Sequence, residues 1–472
     1  MRFPQLRQYT ALFLSAIVIS SGSRVAPDEK VSLHEALRRP YLDLFELAQT
    51  TQYRAADIDS VRESLKSAQE ICISRFKKQA SQYAKDIEQA QRELKEEKDI
   101  SASRRQELHC KIQDLRALQG QTEMLAKHAI PLAYANRKAK LDLIQQWPAK
   151  FKEISEQIEK GTYRDRRWGD VDDIGFREIE SGQTNDIKTG EEAIRDMKAR
   201  SLMPKEIDDK EVKAYVTAVA QRIASHSDLR VPLKVTVLDS KEINAFALPG
   251  GFLFVERGLL EAVDDEAELA GVLGHEMSHV VARHGHKLMV RSGLMNFLFQ
   301  AAEISAVFLS GGMGTFGVYA VQYGFYGLGF VLDLNLLGVS RDFELQADQL
   351  GIQYTWNSGY DPTGFVRFFD KMATTKGYVE GASWFYDHPP FYERMVEAER
   401  EISFLPKKDS LAFQSSQFAE MKTALTKVTA KAKIEEDKKP SLLGAEKKCA
   451  PTKKSEYEPG QDVETICGAA QK

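Results

Sequence analysis

The sequence predicts an α+β chain that is mainly helical, with a small β-sheet beside one chemically loaded helix and a long antiparallel helical hairpin ahead of both. Three observations carry this expectation. Apolar residues recur in alternating steps of three and four from Ile58 to Leu94. Two short β-type runs lie between Val231 and Val255, the second broken by Pro249-Gly250-Gly251. An apolar helical run opening at Asp265 carries two histidines four residues apart, His275 and His279. With 472 residues, 43% of them hydrophobic, the chain can build two or three domains with real cores. Its net charge of -4 comes from 65 basic and 69 acidic residues that are interleaved, which gives no reason to expect a nucleic-acid partner.

The first segment, 1–23, reads as a secretory signal peptide. A basic start (Met1 to Arg7) leads into an apolar run from Ala11 to Ser20 and the small residues Ser21-Gly22-Ser23. The run is too short for a comfortable membrane span; an uncleaved anchor or a buried first helix is the alternative. Export would place the mature chain in an oxidising compartment, most simply a periplasm. No cysteine follows the run to accept a lipid.

The second segment, 24–167, holds the hairpin. Its first arm presents Ile58, Val61, Leu65, Ala68, Cys72, Phe76, Ala80, Tyr83, Ile87, Ala90 and Leu94, a coiled-coil seam. Asp99 to Ser103 offers a turn, and a second arm carries Leu108, Ile112, Leu115, Leu118, Leu125 and Ala129 before Pro131 interrupts it. The hairpin could be a self-contained spacer or an arm that meets a partner. The four cysteines are Cys72, Cys110, Cys449 and Cys467. A turn near residue 100 sets Cys72 opposite a position near 127, roughly 17 residues or about 25 Å from Cys110 along a helix. That offset exceeds disulfide reach, so Cys72–Cys110 is not expected if the hairpin is simple; Cys449 and Cys467 bracket a polar loop containing Pro and Gly and are the expected pair.

A linker rich in Asp, Gly and Thr, from Trp168 to Gly190, is expected next, then a catalytic segment over 190–404. Amphipathic helices are expected around Glu191–Ser201 and Asp208–Ser225, a strand over Val231–Leu238 and a strand–turn–strand over Ala245–Val255. Asp265 and Glu268 form a capping box for the helix that follows. The apolar, Gly-rich stretch from Leu294 to Leu337 contains Glu303 and Asp333. These charges argue for a packed helical hairpin, with a membrane-dipping flap as the alternative. The last segment, 405–472, is Lys-rich and is expected to be largely flexible, with one helix near Gln414–Lys431.

The helix from Asp265 contains His275-Glu276-Met277-Ser278-His279, an HExxH sequence. Residues four apart share a helix face, so both imidazoles can reach one ion, while Glu276 can serve as general base toward a water there. Catalytic zinc takes three protein ligands and keeps one position open. The third ligand must lie downstream. Ser340 to Asp348 supplies Glu344 as a candidate and Asp348, one turn on, as a group that could orient a ligand histidine. The residue types alone leave Glu344 one carboxylate among many.

HExxH followed by Arg283-His284, the SRxxExxAD run at 340–348, Asn244 to Gly251, and His388-Pro389-Pro390-Phe391-Tyr392-Glu393-Arg394 together resemble the zinc peptidase family that includes HtpX and the CAAX prenyl endopeptidases. The resemblance covers about Gly190 to Phe404 and is nearest to the soluble, exported, BepA-like branch, since long uninterrupted apolar spans are lacking. It implies a zincin-type catalytic domain holding one Zn2+ per subunit through His275, His279 and Glu344. The hairpin at 58–146 is an addition to that pattern, and no 34-residue repeat period appears. His388 and Arg394 are candidate oxyanion donors; His388 could instead latch the open metal position. Asn244, Ala245 and Phe246 would form an edge strand that pairs with an extended substrate backbone. The function so implied is a zinc endopeptidase acting on polypeptides, with misfolded envelope proteins as expected substrates. The alternative is a chaperone or assembly factor in which proteolysis is secondary or latched.

Overall fold

A seam of apolar side chains at helical spacing needs cover along its whole length, and two partners share the task. The computed structural model describes residues 31–96, 101–177, 181–199, 203–292, 341–374, 392–438 and Cys467. The leader at 1–23, the stretch 294–337 and His388 lie outside these residues. Two short helices, α1 (Leu33–Ala36) and α2 (Tyr41–Thr50), precede α3 (Ala55–Glu96). The distal part of α3 packs Ile87 and Ala90 against Leu108, Ile112 and Leu115 of α4 (Ala102–Met124), a small core of its own. The proximal part sends Ile58, Val61, Leu65, Cys72 and Phe76 into the main core with Ile130, Leu141 and Trp147 of α5 (Ile130–Lys160).

Pro131 does not end the second arm. Between α4 and α5 the chain makes a single π-helical stretch, Leu125–Ala129, and stays helical. A wider turn just before a proline accommodates its ring and its missing N–H without breaking the helix.

The expected linker is also more than a linker. It contains a 3-10 turn at Val171–Asp173, and α6 (Gln183–Ala199) begins inside it. Buried Asp228 accepts a hydrogen bond from the Gly175 N–H at 2.6 Å and from the Tyr354 hydroxyl at 2.8 Å, with Arg177 Nε 3.0 Å away. Within the segment itself Asp170 accepts the Val171 N–H at 2.6 Å and Asp186 accepts from Arg283 at 2.7 Å, so these two aspartates are paired internally, as buried charges require.

Helix α7 (Lys210–Ala224), capped by Asp209, leads to a three-stranded sheet of order β1 (Lys234–Leu238), β3 (Phe252–Glu256), β2 (Ala245–Leu248). β1 runs parallel to β3 with Val235 opposite Leu253, and β2 runs antiparallel with Phe246 opposite Phe254. Gly250 makes the β2–β3 turn at φ 88°, and a Cβ there would fall 2.4 Å from Ile187 Cα. The turn thus needs glycine for both conformation and space.

The remaining helices are α8 (Arg257–Ala262), α9 (Glu266–Val281), α10 (His284–Ser292), α11 (Arg341–Asn357), α12 (Thr363–Thr374), α13 (Tyr392–Phe404) and α14 (Ser416–Lys438). Asp370 of α12 accepts the Tyr41 N–H at 2.5 Å, capping the start of α2 from 329 residues away. The N-terminal helices are therefore built onto the core that follows them.

The helix expected near Gln414–Lys431 is present as α14, and it does not lie loose, since it buries Phe418, Met421 and Leu425 in the main core. Lys422 meanwhile donates to the carbonyls of Leu260, Glu261 and Val263, satisfying the exposed end of α8. Nor does Cys467 pair with Cys449: it is bonded to Cys72, with Cα atoms 5.5 Å apart, and Cys110 is disulfide-bonded as well. The proximal half of α3 is buried in the main core, so Cys72 meets the returning chain there rather than the opposite arm.

Candidate metal centre

Helix α9 starts where local chemistry says it should. Asp265 accepts the Glu268 N–H at 2.8 Å, and Glu268 reaches back to the Asp264 N–H at 2.8 Å. Burial pushes the Glu268 carboxyl up, against the pull of Lys371, which clasps it from α12. Almost every residue of α9 is buried, so His275 and Glu276 sit in the interior rather than on a wet helix face.

Helix α11 lies antiparallel to it: Thr355 bonds to Ala270, Gly351 abuts Gly274, and Glu344 sits beside His279. Glycine permits the approach. A Cβ on Gly274 would be 2.7 Å from Thr355 Oγ1, and one on Gly351 would be 2.8 Å from the His275 backbone nitrogen. Neither helix could carry alanine at these positions without moving apart.

That closeness brings three predicted ligands together. His275 Nε2 and His279 Nε2 are 3.1 Å apart, and each is 3.5 Å from a different oxygen of Glu344. One donor atom from each of the three residues fits within 4.8 Å, as a shared ion requires. Asp348 places Oδ1 2.9 Å from His275 Nδ1. An ionised carboxylate only accepts, so His275 carries its proton on Nδ1 and presents a bare Nε2 to the cluster.

Arg394 enters from α13 and does not stand free as an oxyanion donor. Its Nε and Nη2 hold both Asp348 oxygens at 2.7 Å, and its Nη1 lies 3.0 Å from Glu344. Burial alone would raise the Asp348 carboxyl, yet Arg394, with His275 beside it, holds it below the usual carboxylate range. Glu344 and Asp348 are 0% and 2% exposed, so this pairing is what makes their burial tolerable. Among the described residues, three carboxylates (Glu276, Glu344, Asp348) face one guanidinium, all buried. The two excess negative charges, and a cluster made of acceptors, fit a divalent cation.

On the other side of His279, its Nδ1 lies 2.9 Å from His284 Nδ1, and His284 Nε2 is 3.0 Å from Gln346 Oε1. Burial lowers the His284 imidazole to about 4, keeping it neutral. Among the expected substrate-contacting residues, Asn244 and Ala245 are buried and Phe246 is half-buried, stacked on Phe254 at 4.8 Å. Among the described residues their strand pairs with β3 alone, so it forms the sheet's edge, and it packs against α9.

Sequence reasoning missed His284, Gln346 and the Gly274–Gly351 contact. The Arg283-His284 pair after HExxH was the available signal. No periodicity distinguishes a contact glycine from an ordinary one.

Comparison with known proteins gives a similarity at the level of a family. Residues 207–402 match Peptidase family M48. The chain is 26% identical over 242 residues to a β-barrel assembly-enhancing protease of Yersinia pestis, covering 50% of this chain and 48% of that protein. It is 28% identical over 253 residues to the mitochondrial metalloendopeptidase OMA1 of Arabidopsis thaliana, covering 50% and 47%. Against OMA1 of Schizosaccharomyces pombe it is 33% identical over 190 residues, covering 39% and 51%. The chain thus spans about half the length of these curated relatives. The matched segment, residues 207–402, is thus similar to Peptidase family M48 and to proteins named as a protease or a metalloendopeptidase.

Proposed function

We propose that the chain is a zinc endopeptidase whose metal ligands are His275, His279 and Glu344 and whose general base is Glu276. The observation that carries this is the convergence of two histidine Nε2 atoms of α9 and one buried carboxylate of α11, where the described residues set three buried carboxylates beside one guanidinium. Zinc held there supplies a Lewis acid for the scissile carbonyl and a more acidic water. Glu276, next to the first ligand, takes a proton from the attacking water and passes it to the departing amine. Asp348 fixes the tautomer of His275. Arg394 acts as a positioning residue, clamping Glu344 and Asp348, rather than as the oxyanion donor. That donor role, or the latch, stays proposed for His388. The edge of β2 at Asn244 to Phe246 receives an extended substrate by main-chain pairing, which favours unfolded polypeptide over a unique side-chain motif.

The cellular reading is turnover of misfolded envelope proteins after export. The basic-apolar leader and the Cys72–Cys467 disulfide both suit an oxidising compartment. Among the described residues no helix is long and apolar enough to cross a membrane. Contact with a membrane surface through 294–337 remains part of this proposal.

Metal content and casein cleavage test it. The wild type should bind one zinc per chain, and Glu276→Gln should keep the metal while losing activity by roughly 10²–10⁴-fold. A wild type that neither binds zinc nor cleaves casein would sink the reading. A scaffold role gains one specific support, the separate core at the hairpin's distal end. Removing residues 90–107 spares the proximal helices built into the main core. If that deletion abolishes function in cells while Glu276→Gln preserves it, the chaperone reading replaces the peptidase one.

A further inference from the structure

Helices α9 and α10 are separated by Ala282 and Arg283, and Arg283 adopts φ 56°, the one non-glycine residue in the left-handed region among those described. A side chain holds that conformation only where its surroundings impose it. Here they do. Arg283 Nε and Nη2 grip the two oxygens of buried Asp186 at 2.7 and 2.9 Å, and Nη1 bonds the Ser181 carbonyl at 2.5 Å. The forced turn changes the direction of His284. In an unbroken helix a residue five positions after His279 would point about 140° around the axis from it. Instead His284 doubles back, its ring stacked on Phe343 at 4.2 Å, with Nδ1 against His279 Nδ1.

We propose that His284, backed by Gln346, is a positioning residue that fixes His279 as a metal ligand through an imidazole-to-imidazole hydrogen bond. This rests on the zinc reading above. The proton count runs in one direction only. Gln346 Oε1 accepts, so His284 carries its proton on Nε2 and leaves Nδ1 bare. That bare nitrogen, 2.9 Å from His279 Nδ1, requires the proton between them to belong to His279. His279 Nε2 is then left bare and turned toward Glu344 and His275. The two ligand histidines therefore reach the same state by different means. His275 is held by a carboxylate that Arg394 neutralises, and His279 by a neutral ring and amide that add no charge to the site. The Asp186–Arg283 pair supports this arrangement from behind.

Zinc affinity of the purified full chain, by competition with a chromophoric chelator, tests the proposal, with circular dichroism confirming that each zinc-free variant is folded. His284→Phe keeps a ring on Phe343 but removes the acceptor, and should weaken zinc binding roughly 10–100-fold. His284→Gln restores an acceptor and should recover a measurable part of that loss. Gln346→Leu, which leaves His284 free to choose its tautomer, should cost less than His284→Phe but more than nothing. Wild-type affinity in His284→Phe, or a His284→Gln variant no better than it, overturns the proposal. If His284→Phe does not fold, nitrogen NMR of the zinc-free wild type decides: His284 protonated on Nε2 supports it, and on Nδ1 overturns it. A wild type that takes up no zinc overturns the metal reading itself and this inference with it, whereas normal wild-type uptake with an indifferent His284 removes only the inference.

Discussion

Two antiparallel helix pairs dominate the molecule, and they are held together by opposite means. In α3–α4 the distal contact is an apolar seam, with charged pairs such as Arg104–Glu93 at 2.6 Å on a wet rim. In α9–α11 the contact is a glycine-to-glycine approach around buried charges, with Glu344 and Asp348 both held by Arg394. Burial of apolar area is forgiving, because neighbouring side chains substitute for one another. A buried polar map is not, since deleting one member leaves its partner uncompensated. The seam tolerates variation, whereas the site depends on each of its members.

The sharpest test pits two arginines against each other. Arg394→Met removes the cation that bridges Asp348 and Glu344 and should cost about 3–5 kcal/mol in urea unfolding. Bound zinc should then be lost as well. If Arg394→Met proves mild, the site is less interdependent than the comparison holds.

A pH series separates the pairs next. His284 titrates near 4 in the folded chain, against 6.5 for the free residue. Between those values the unfolded chain binds the extra proton, so stability is full above about pH 6.5 and is lost as pH falls toward 4. The loss amounts to about 3 kcal/mol in zinc-free protein. His284→Gln should flatten that slope, as urea midpoints at pH 7 and 4.5 would show; an unchanged slope assigns it elsewhere.

Gly274→Ala comes third. Its Cβ would fall 2.7 Å from Thr355 Oγ1 and 2.9 Å from the Gly351 carbonyl, so α9 and α11 must part. About 1–3 kcal/mol of stability should go, with weaker zinc binding alongside. The smallest effect belongs to the rim. Arg104→Met, whose side chain is 48% exposed, should leave both the urea midpoint and casein cleavage essentially unchanged. A large effect there would mean the hairpin's polar rim matters as much as the site's interior.

Much of the local structure was readable without coordinates. The helical run of α3, the β2–β3 turn at Gly250, the capping of α9 by Asp265 and the shared face of His275 and His279 all follow from periods of 3.6 and 2 and from short-range hydrogen bonding. Glu344 was readable as a candidate, and the resemblance singled it out. Elsewhere local composition said less: Asp and Gly at 168–190 suggested a linker where α6 begins, and the lysines after 405 did not show that the helix expected there packs into the core. Composition does not reveal which polar groups will find buried partners.

The sequence by itself determined which side chains could bind a metal and the elements that carry them, because spacing along a helix is fixed by the backbone. Tertiary structure decided the rest. Arg394 clamps two carboxylates rather than standing free, Cys72 bonds Cys467 across 395 residues, and Arg283 turns His284 back onto His279 through an aspartate 97 residues away. Such closures are set by which surfaces meet once the apolar faces are buried. Side chains that are strangers in the chain become partners only when water has been excluded between them.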